Sequence, residues 1–183
     1  MQQLQALNSS LKESGTFLDV GTGVGWLAIE AAQSWPAWRV VGIDSWKPAL
    51  DLAQQKLSQS SVAARVEFRL QRIEQLDDDA RFELAWLPVP FIPAEVIPVA
   101  LERLYRGLKP GGWLIVGVYP PPPDELGQVL TKLRIVRSGG HPWTTDEVEE
   151  QLRALGFGSV ESFSPTPPVL FVLGRRAAGG REI

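Results

Sequence analysis

Apolar and polar positions along this chain follow two periods, and the switches between them mark its elements. Leu4, Leu7 and Leu11 share a helical face, which predicts a short N-terminal helix within residues 1–14. Phe17 to Val20 reads as a short buried strand, interrupted by one acid, Asp19. After glycines at 21, 23 and 25, Leu27, Ala28, Ala31, Ala32 and Trp35 recur at helical spacing until Pro36. Trp38 to Ile43 reads as a second strand ending at Asp44. Ser45 is placed to cap the next helix, with Pro48 in its first turn and Leu50, Ala53 and Leu57 on its inner face. Arg65 to Leu70 and Phe82 to Leu87 read as the third and fourth strands, separated by Asp77, Asp78 and Asp79, an acid run that reads as a solvated turn.

A helix over 96–106, with Val99, Ala100, Arg103 and Leu104 inward or amphipathic, ends at Gly107. The turn LKPGG then leads into the strand Trp113 to Val118. The four prolines of YPPPPDE remove four backbone donors in a row and fit neither period. Residues 126–136 read as helix. Thr144 and Glu147 form a capping-box pattern for another, carrying Val148, Leu152 and Leu155 and stopped at Gly156. Phe157 to Phe163 and Val169 to Leu173 flank SPTPP and suit an antiparallel pair, leaving a loose tail over 175–183. Strands alternating with helices predict an α/β fold, a parallel sheet covered on both faces. Right-handed crossovers put the strand C-termini along one edge, where ligands sit at the reversal of strand order. The first strand normally borders that reversal, which brings its glycine-rich end to the expected crevice.

Composition narrows the chemistry. The 183 residues carry 18 Lys and Arg against 21 Asp and Glu, a balance that speaks against a general nucleic-acid or membrane-surface binder. There is no cysteine, so disulfides, thiolate zinc sites and cysteine nucleophiles are excluded, and one histidine makes no histidine-rich metal site; no metal is expected. No apolar run is long enough to span a bilayer, and MQQLQALNSSLKES lacks the basic-then-apolar order of a signal peptide. A cytoplasmic location is the default expectation.

Glycines between a strand and a helix let backbone turn tightly and approach a ligand, and the helix N-terminus favours a negative group. A dinucleotide fold uses this for a pyrophosphate, but Asp19 puts negative charge there, and Gly21, Gly23 and Gly25 are spaced G-x-G-x-G, not G-x-G-x-x-G. The pattern suits a zwitterion, with Asp19 for an ammonium and loop amides for a carboxylate. Asp44 is placed to accept from ribose hydroxyls.

FLDVGTGVG, VVGID, LYRGLKPGGWLIVG and the terminal strand pair together resemble the class I S-adenosylmethionine-dependent methyltransferases over nearly the whole chain. The resemblance implies a three-layer Rossmann-like sandwich over 15–174, with a mostly parallel seven-stranded sheet whose last strand is antiparallel. It implies S-adenosylmethionine as cofactor and S-adenosylhomocysteine as product. It places Asp19, Gly21, Thr22, Gly23 and Gly25 around the methionine part, Asp44 on the ribose, and Ser45 and Trp46 beside the adenosine. Gln71, Arg72 and Ile73 of LQRIEQL would border the adenine, although the frequent G-D-A pattern is missing there; Leu87 and Pro88 would face cofactor and substrate together.

Each residue has a plainer alternative: a simple turn for the glycines, a helix cap for Asp44, a surface position for Arg72, core for Trp86. His141, in SGGHPWTT, is either a general base over the acceptor or an exposed loop residue. LPVPF superficially resembles the D/N-P-P-Y/F motif of amine methyltransferases but has Leu87 where that motif needs an acid or amide, which weighs against nucleic-acid or protein amines. The apolar mouth of Trp86, Leu87, Val89, Phe91 and Ile92 suits a small, partly apolar acceptor. A cofactor-binding domain with little activity alone and a nicotinamide oxidoreductase remain the other readings. Because Met1 to Ser14 is too short for a substrate-shaping domain, either a minimal enzyme or one domain of a longer protein is expected, with an N-terminal domain or dimer partner missing.

Overall fold

Phe17 and Leu18 point to opposite faces of one strand, and both are buried. The same holds for Val40 and Val41, Leu84 and Ala85, Trp113 and Leu114, and Val172 and Leu173. A sheet buried on both faces needs a layer of helices on each, and the chain supplies them. The computed structural model describes residues 2–10, 14–120, 122–137, 139–164 and 170–178. In order, its elements are α1 (Gln2–Ser10), β1 (Gly15–Val20), α2 (Trp26–Ser34), β2 (Trp38–Asp44), α3 (Lys47–Ser58), β3 (Val66–Leu70), β4 (Phe82–Pro88), α4 (Ile97–Gly107), β5 (Leu108–Val118), α5 (Glu125–Arg137), α6 (Thr145–Ala154), β6 (Phe157–Phe163) and β7 (Leu170–Arg176).

The seven strands form one sheet in the order β3-β2-β1-β4-β5-β7-β6. β1, β2, β3, β4 and β5 pair in parallel, and β7 runs antiparallel to both β5 and β6. The expected seven-stranded sheet with its antiparallel last strand is therefore present. Strand order reverses at β1, between β2 and β4, so the glycine-rich end of β1 sits at the reversal. Two cores flank the sheet. One joins Leu18, Val41 and Leu114 to Ala100 and Leu104 of α4 and Val148 and Leu152 of α6. The other joins Phe17, Val40 and Trp113 to Leu7 of α1 and Ala28 and Ala32 of α2.

Several expectations shift in detail. Leu27 and Val99 face outward, while Ile29 and Leu101 take the inward places. LKPGG is not a free turn: it lies inside β5 as a register shift against β4, with Gly111 at φ 81°. Asp78 is not a solvated turn residue. Its carboxylate joins Arg69 (2.8 Å) and Arg81 (2.6 Å), with Glu67 pairing the same two arginines, and these hydrogen-bonded guanidinium groups outweigh burial and hold it below the usual carboxylate range. The 144–147 capping box forms as expected. β7 runs to Arg176, two residues into the stretch expected to be loose. Leu11 lies outside the described residues. No described helix is long and apolar enough to cross a membrane.

Candidate active site

The end of β1 carries Asp19 with its neighbour in register, Trp86 of β4. Asp19 is only 2 % exposed. Its Oδ2 accepts from the Thr22 hydroxyl at 2.6 Å. Burial raises its pKa to about 7, opposed by the Thr22 bond and reinforced by the nearby Asp44 charge. Asp19 thus fastens the glycine loop from beneath. Asp19 does not line either cavity described below; the contact it makes here is the one that supports the loop.

The loop amides are also committed. Gly21 and Thr22 N–H donate to the Ile43 carbonyl (2.9 and 3.0 Å), and Gly25 N–H to the Thr22 carbonyl (2.9 Å). Gly23 N–H donates to Asp44 Oδ2 at 2.8 Å. Three of these four amides fold the loop onto β2, and the Gly25 amide closes a turn within it. The bend needs φ near +68°, +55° and +79° at the three glycines, a region that costs other residues. Gly25 is the most constrained, because a Cβ there would lie 2.6 Å from Phe68 and 2.9 Å from Ala53.

Asp44 holds the next segment with its other oxygen. Oδ1 accepts from Trp46 N–H at 2.8 Å, while the N-cap of α3 is Trp46, not the expected Ser45, and no side chain caps the helix. An ionised carboxylate has about four acceptor sites. Two are used here, which leaves Asp44 able to accept from a ligand as well.

Asp44 lines a cavity of about 180 Å³ at the strand C-termini, with Gly21, Ser45 and Gln71 as its polar edge and Phe91 and Ile92 opposite. Gln71 is anchored by its backbone N–H to the Asp44 carbonyl and its Nε2 to the Gln75 carbonyl. Of the expected adenosine neighbours, Ser45 and Gln71 reach this cavity. Trp46 (65 % exposed) does not line it; Arg72 is exposed and pairs with Glu74, and Ile73 is buried in the core.

A second cavity, about 600 Å³, adjoins it. Trp86, Pro88 and Phe91 form one side, Tyr119 with Pro120, Pro122 and Pro123 another, and Thr131, Arg134 and Ile135 of α5 a third. Phe91 belongs to both cavities, and Gly21 in the first lies against Pro88 of the second, where a Cβ would sit 3.7 Å from the proline ring. Edge-to-face contacts of Phe91 with Tyr119 (5.9 Å) and Trp86 with Phe171 (5.5 Å) line the walls. Gly117 makes room for the Trp86 indole, which a Cβ there would strike.

Two mouth residues expected from the sequence, Leu87 and Val89, are buried in the core instead, because they point to the opposite face of β4 or under its following turn. Pro88 alone of the Leu87–Pro88 pair reaches the wall. His141 reaches neither cavity. Its ring packs edge-on against Trp143 and its Nε2 lies 3.9 Å from Glu147 Oε1, so the structure favours the loop reading over the base. The sequence reading missed the α5 wall and Phe171, which lie far along the chain; the one local signal was the proline run that precedes α5. Among the described residues no cluster of three or more His, Asp and Glu is arranged to hold a metal.

Comparison with known proteins fits this geometry. A family model described as "Methyltransferase domain" matches residues 17–112, just over half of the chain. A demethylmenaquinone methyltransferase of Thermus thermophilus is 35 % identical over 109 residues, 58 % of this chain and 48 % of that protein. The chain spans about half the length of the curated relatives it matches first. The fold is shared with an O-methyltransferase-like protein of Nostoc punctiforme (TM-score 0.77, 21 % identity, 95 % of this chain and 56 % of that one). It is also shared with a Burkholderia thailandensis 1,6-didemethyltoxoflavin-N1-methyltransferase bound to S-adenosylhomocysteine (TM-score 0.69, 21 % identity, 94 % of this chain and 76 % of that one). With its β3-β2-β1-β4-β5-β7-β6 sheet and the glycine loop at the β1 switch, the chain belongs to the methyltransferase-domain family, among the class I S-adenosylmethionine-dependent methyltransferases.

Proposed function

We propose that this chain transfers a methyl group from S-adenosylmethionine to a small, partly apolar acceptor, releasing S-adenosylhomocysteine. The observation that carries the reading is the pair of adjoining cavities: a small polar one edged by Asp44, and a larger apolar one that shares Phe91 with it. The cofactor supplies a methyl group on a sulfonium, which departs as a neutral thioether, so the protein's tasks are to bind, orient and exclude water. Asp44 has acceptor capacity left for ribose hydroxyls, and Ser45 and Gln71 offer polar neighbours to an adenosine. Asp19 and Thr22 hold the loop in the shape that makes this room.

On the acceptor side, Trp86, Phe91, Tyr119 and Phe171 favour a flat, apolar molecule. Two of the proteins it resembles are named for demethylmenaquinone and 1,6-didemethyltoxoflavin, which supports a small cyclic acceptor. Leu87, buried where amine methyltransferases carry an acid or amide, supports the same choice over a nucleic-acid base. Among the described residues of the wall no side chain is an obvious base, so an acceptor that loses its proton readily, or needs none removed, suits the site.

The test is a screen of phenols, quinols, heteroaromatic amines and carboxylates with methyl-labelled cofactor, reading which product gains the label. A labelled product whose formation drops about tenfold or more in Phe91→Ala or Trp86→Ala is expected, from loss of packing at the reacting face. Calorimetry showing binding of NAD but not of S-adenosylhomocysteine would sink the reading. Cofactor binding with no labelled product from any acceptor would favour a binding domain instead.

A further inference from the structure

α5 has two working faces, and the cavity accounts for one of them. Thr131, Arg134 and Ile135 turn toward the acceptor cavity, and Ile135 is the buried residue of the helix. On the outer side Leu126, Val129, Leu130, Leu133 and Val136 are 68, 61, 49, 50 and 58 % exposed. At about 100° per residue these five fall in a stripe roughly 120° wide. Scattered exposed apolar residues need no explanation, but a contiguous helix stripe of leucine and valine marks a surface that something covers.

We propose that α5 pairs with α5 of a second copy of this chain, antiparallel, across a two-fold axis near Thr131. Four of the five stripe residues pair symmetrically about that level. Leu126 and Val136 lie equally far on either side of it, as do Val129 and Leu133, so an antiparallel partner sets leucine against valine at both levels. Charge agrees with the same direction. Asp124 and Glu125 stand at the start of the helix and Arg137 in its last turn. Antiparallel pairing lays the acidic end of one helix beside the basic end of the other and opposes their dipoles, whereas parallel pairing sets like with like. A lipid surface would accept the stripe too, but it would press Asp124 and Glu125 into the headgroups of a chain whose net charge is already −3. One 13-residue helix is about 20 Å long, at the low end of interface sizes, so the association is reversible with a dissociation constant on the order of micromolar. The inference does not depend on methyl transfer, although pairing would also steady the α5 wall of the cavity.

The absence of cysteine makes a clean test, since each single-cysteine variant carries one thiol. In the proposed arrangement Leu130→Cys sits one residue from the axis and meets its own counterpart. Leu126→Cys is five residues away, which separates the two thiols by about 15 Å, beyond disulfide reach. Under mild oxidation Leu130→Cys is expected to form a covalent dimer about tenfold or more faster than Leu126→Cys. By sedimentation equilibrium the unmodified chain should double its mass as concentration passes through the range of about 1–100 μM. A Leu130→Glu, Leu133→Glu double variant should stay monomeric with an unchanged circular dichroism spectrum and melting temperature, because both side chains are half exposed. A chain that stays monomeric at about 100 μM overturns the proposal. So does Leu126→Cys cross-linking as fast as Leu130→Cys. So does a monomer that sediments with phosphatidylcholine–phosphatidylglycerol vesicles through Leu130 and Leu133, which would assign the stripe to lipid.

Discussion

Two acids at neighbouring strand ends have opposite duties. Asp44 is half-buried and spends one oxygen on the glycine loop and one on the start of α3. Asp44→Ala should weaken S-adenosylhomocysteine binding by tenfold or more by calorimetry, about 1.4 kcal/mol for a charge-assisted pair of bonds. Asp19 is fully enclosed, with a pKa near 7 instead of its ordinary value near 3.8. A folded-state pKa above the unfolded one means that the native state holds the proton more tightly. Stability from this group is therefore complete below about pH 4 and is lost as pH rises through 7. Asp19→Asn keeps an acceptor for the Thr22 hydroxyl without the buried charge. It should melt higher than the parent at pH 8, by a few degrees for about 1 kcal/mol or more, with the gap closing toward pH 4. An equal gap at both pH values would show that Asp19 is not the titrating group.

The glycine loop is one element, yet its glycines are not equivalent. Gly23 has open space where a Cβ would go, its nearest atom 4.0 Å away, whereas Gly25 would drive a methyl into Phe68 and Ala53. Gly23→Ala should cost about 1–2 kcal/mol, the left-handed backbone alone. Gly25→Ala should cost roughly 2–5 kcal/mol, with overpacking added, in urea unfolding of both variants. Equal losses would mean that the α3–β3 contact does not hold the loop. The glycine motif could be read from spacing, but this difference could not, because Phe68 and Ala53 meet Gly25 only across the folded sheet. Leu27 and Ile29 teach the same point: spacing placed the helix, and the neighbouring strands chose which side faced them.

At the scale of the molecule, Arg65 ties the turn before β3 to the end of α2. Its guanidinium donates to the carbonyls of Ala32 (2.5 Å), Trp35 (3.1 Å) and Trp38 (3.0 Å). Arg65→Met removes all three of these bonds between the end of α2 and the start of β2, which should cost about 2–4 kcal/mol in chemical unfolding. S-adenosylhomocysteine affinity should stay unchanged under native conditions, since Arg65 lines neither cavity. A loss of affinity without a loss of stability would contradict that assignment.

The sequence by itself determined the alternation of strands and helices, the glycine bend after β1, the acid ending β2 and the antiparallel closing pair, because each rests on residues near one another in the chain. Tertiary structure alone decided how those pieces were used. It buried Asp19, gave the loop amides to β2 and Asp44, turned Leu87 inward and left His141 outside the site. It also built the wall of the larger cavity from Trp86, Tyr119, Ile135 and Phe171, residues that only sheet order and the fold of α5 bring together. Periodicity reports which residues share a face; burial and hydrogen-bond partners depend on what the rest of the chain places opposite that face.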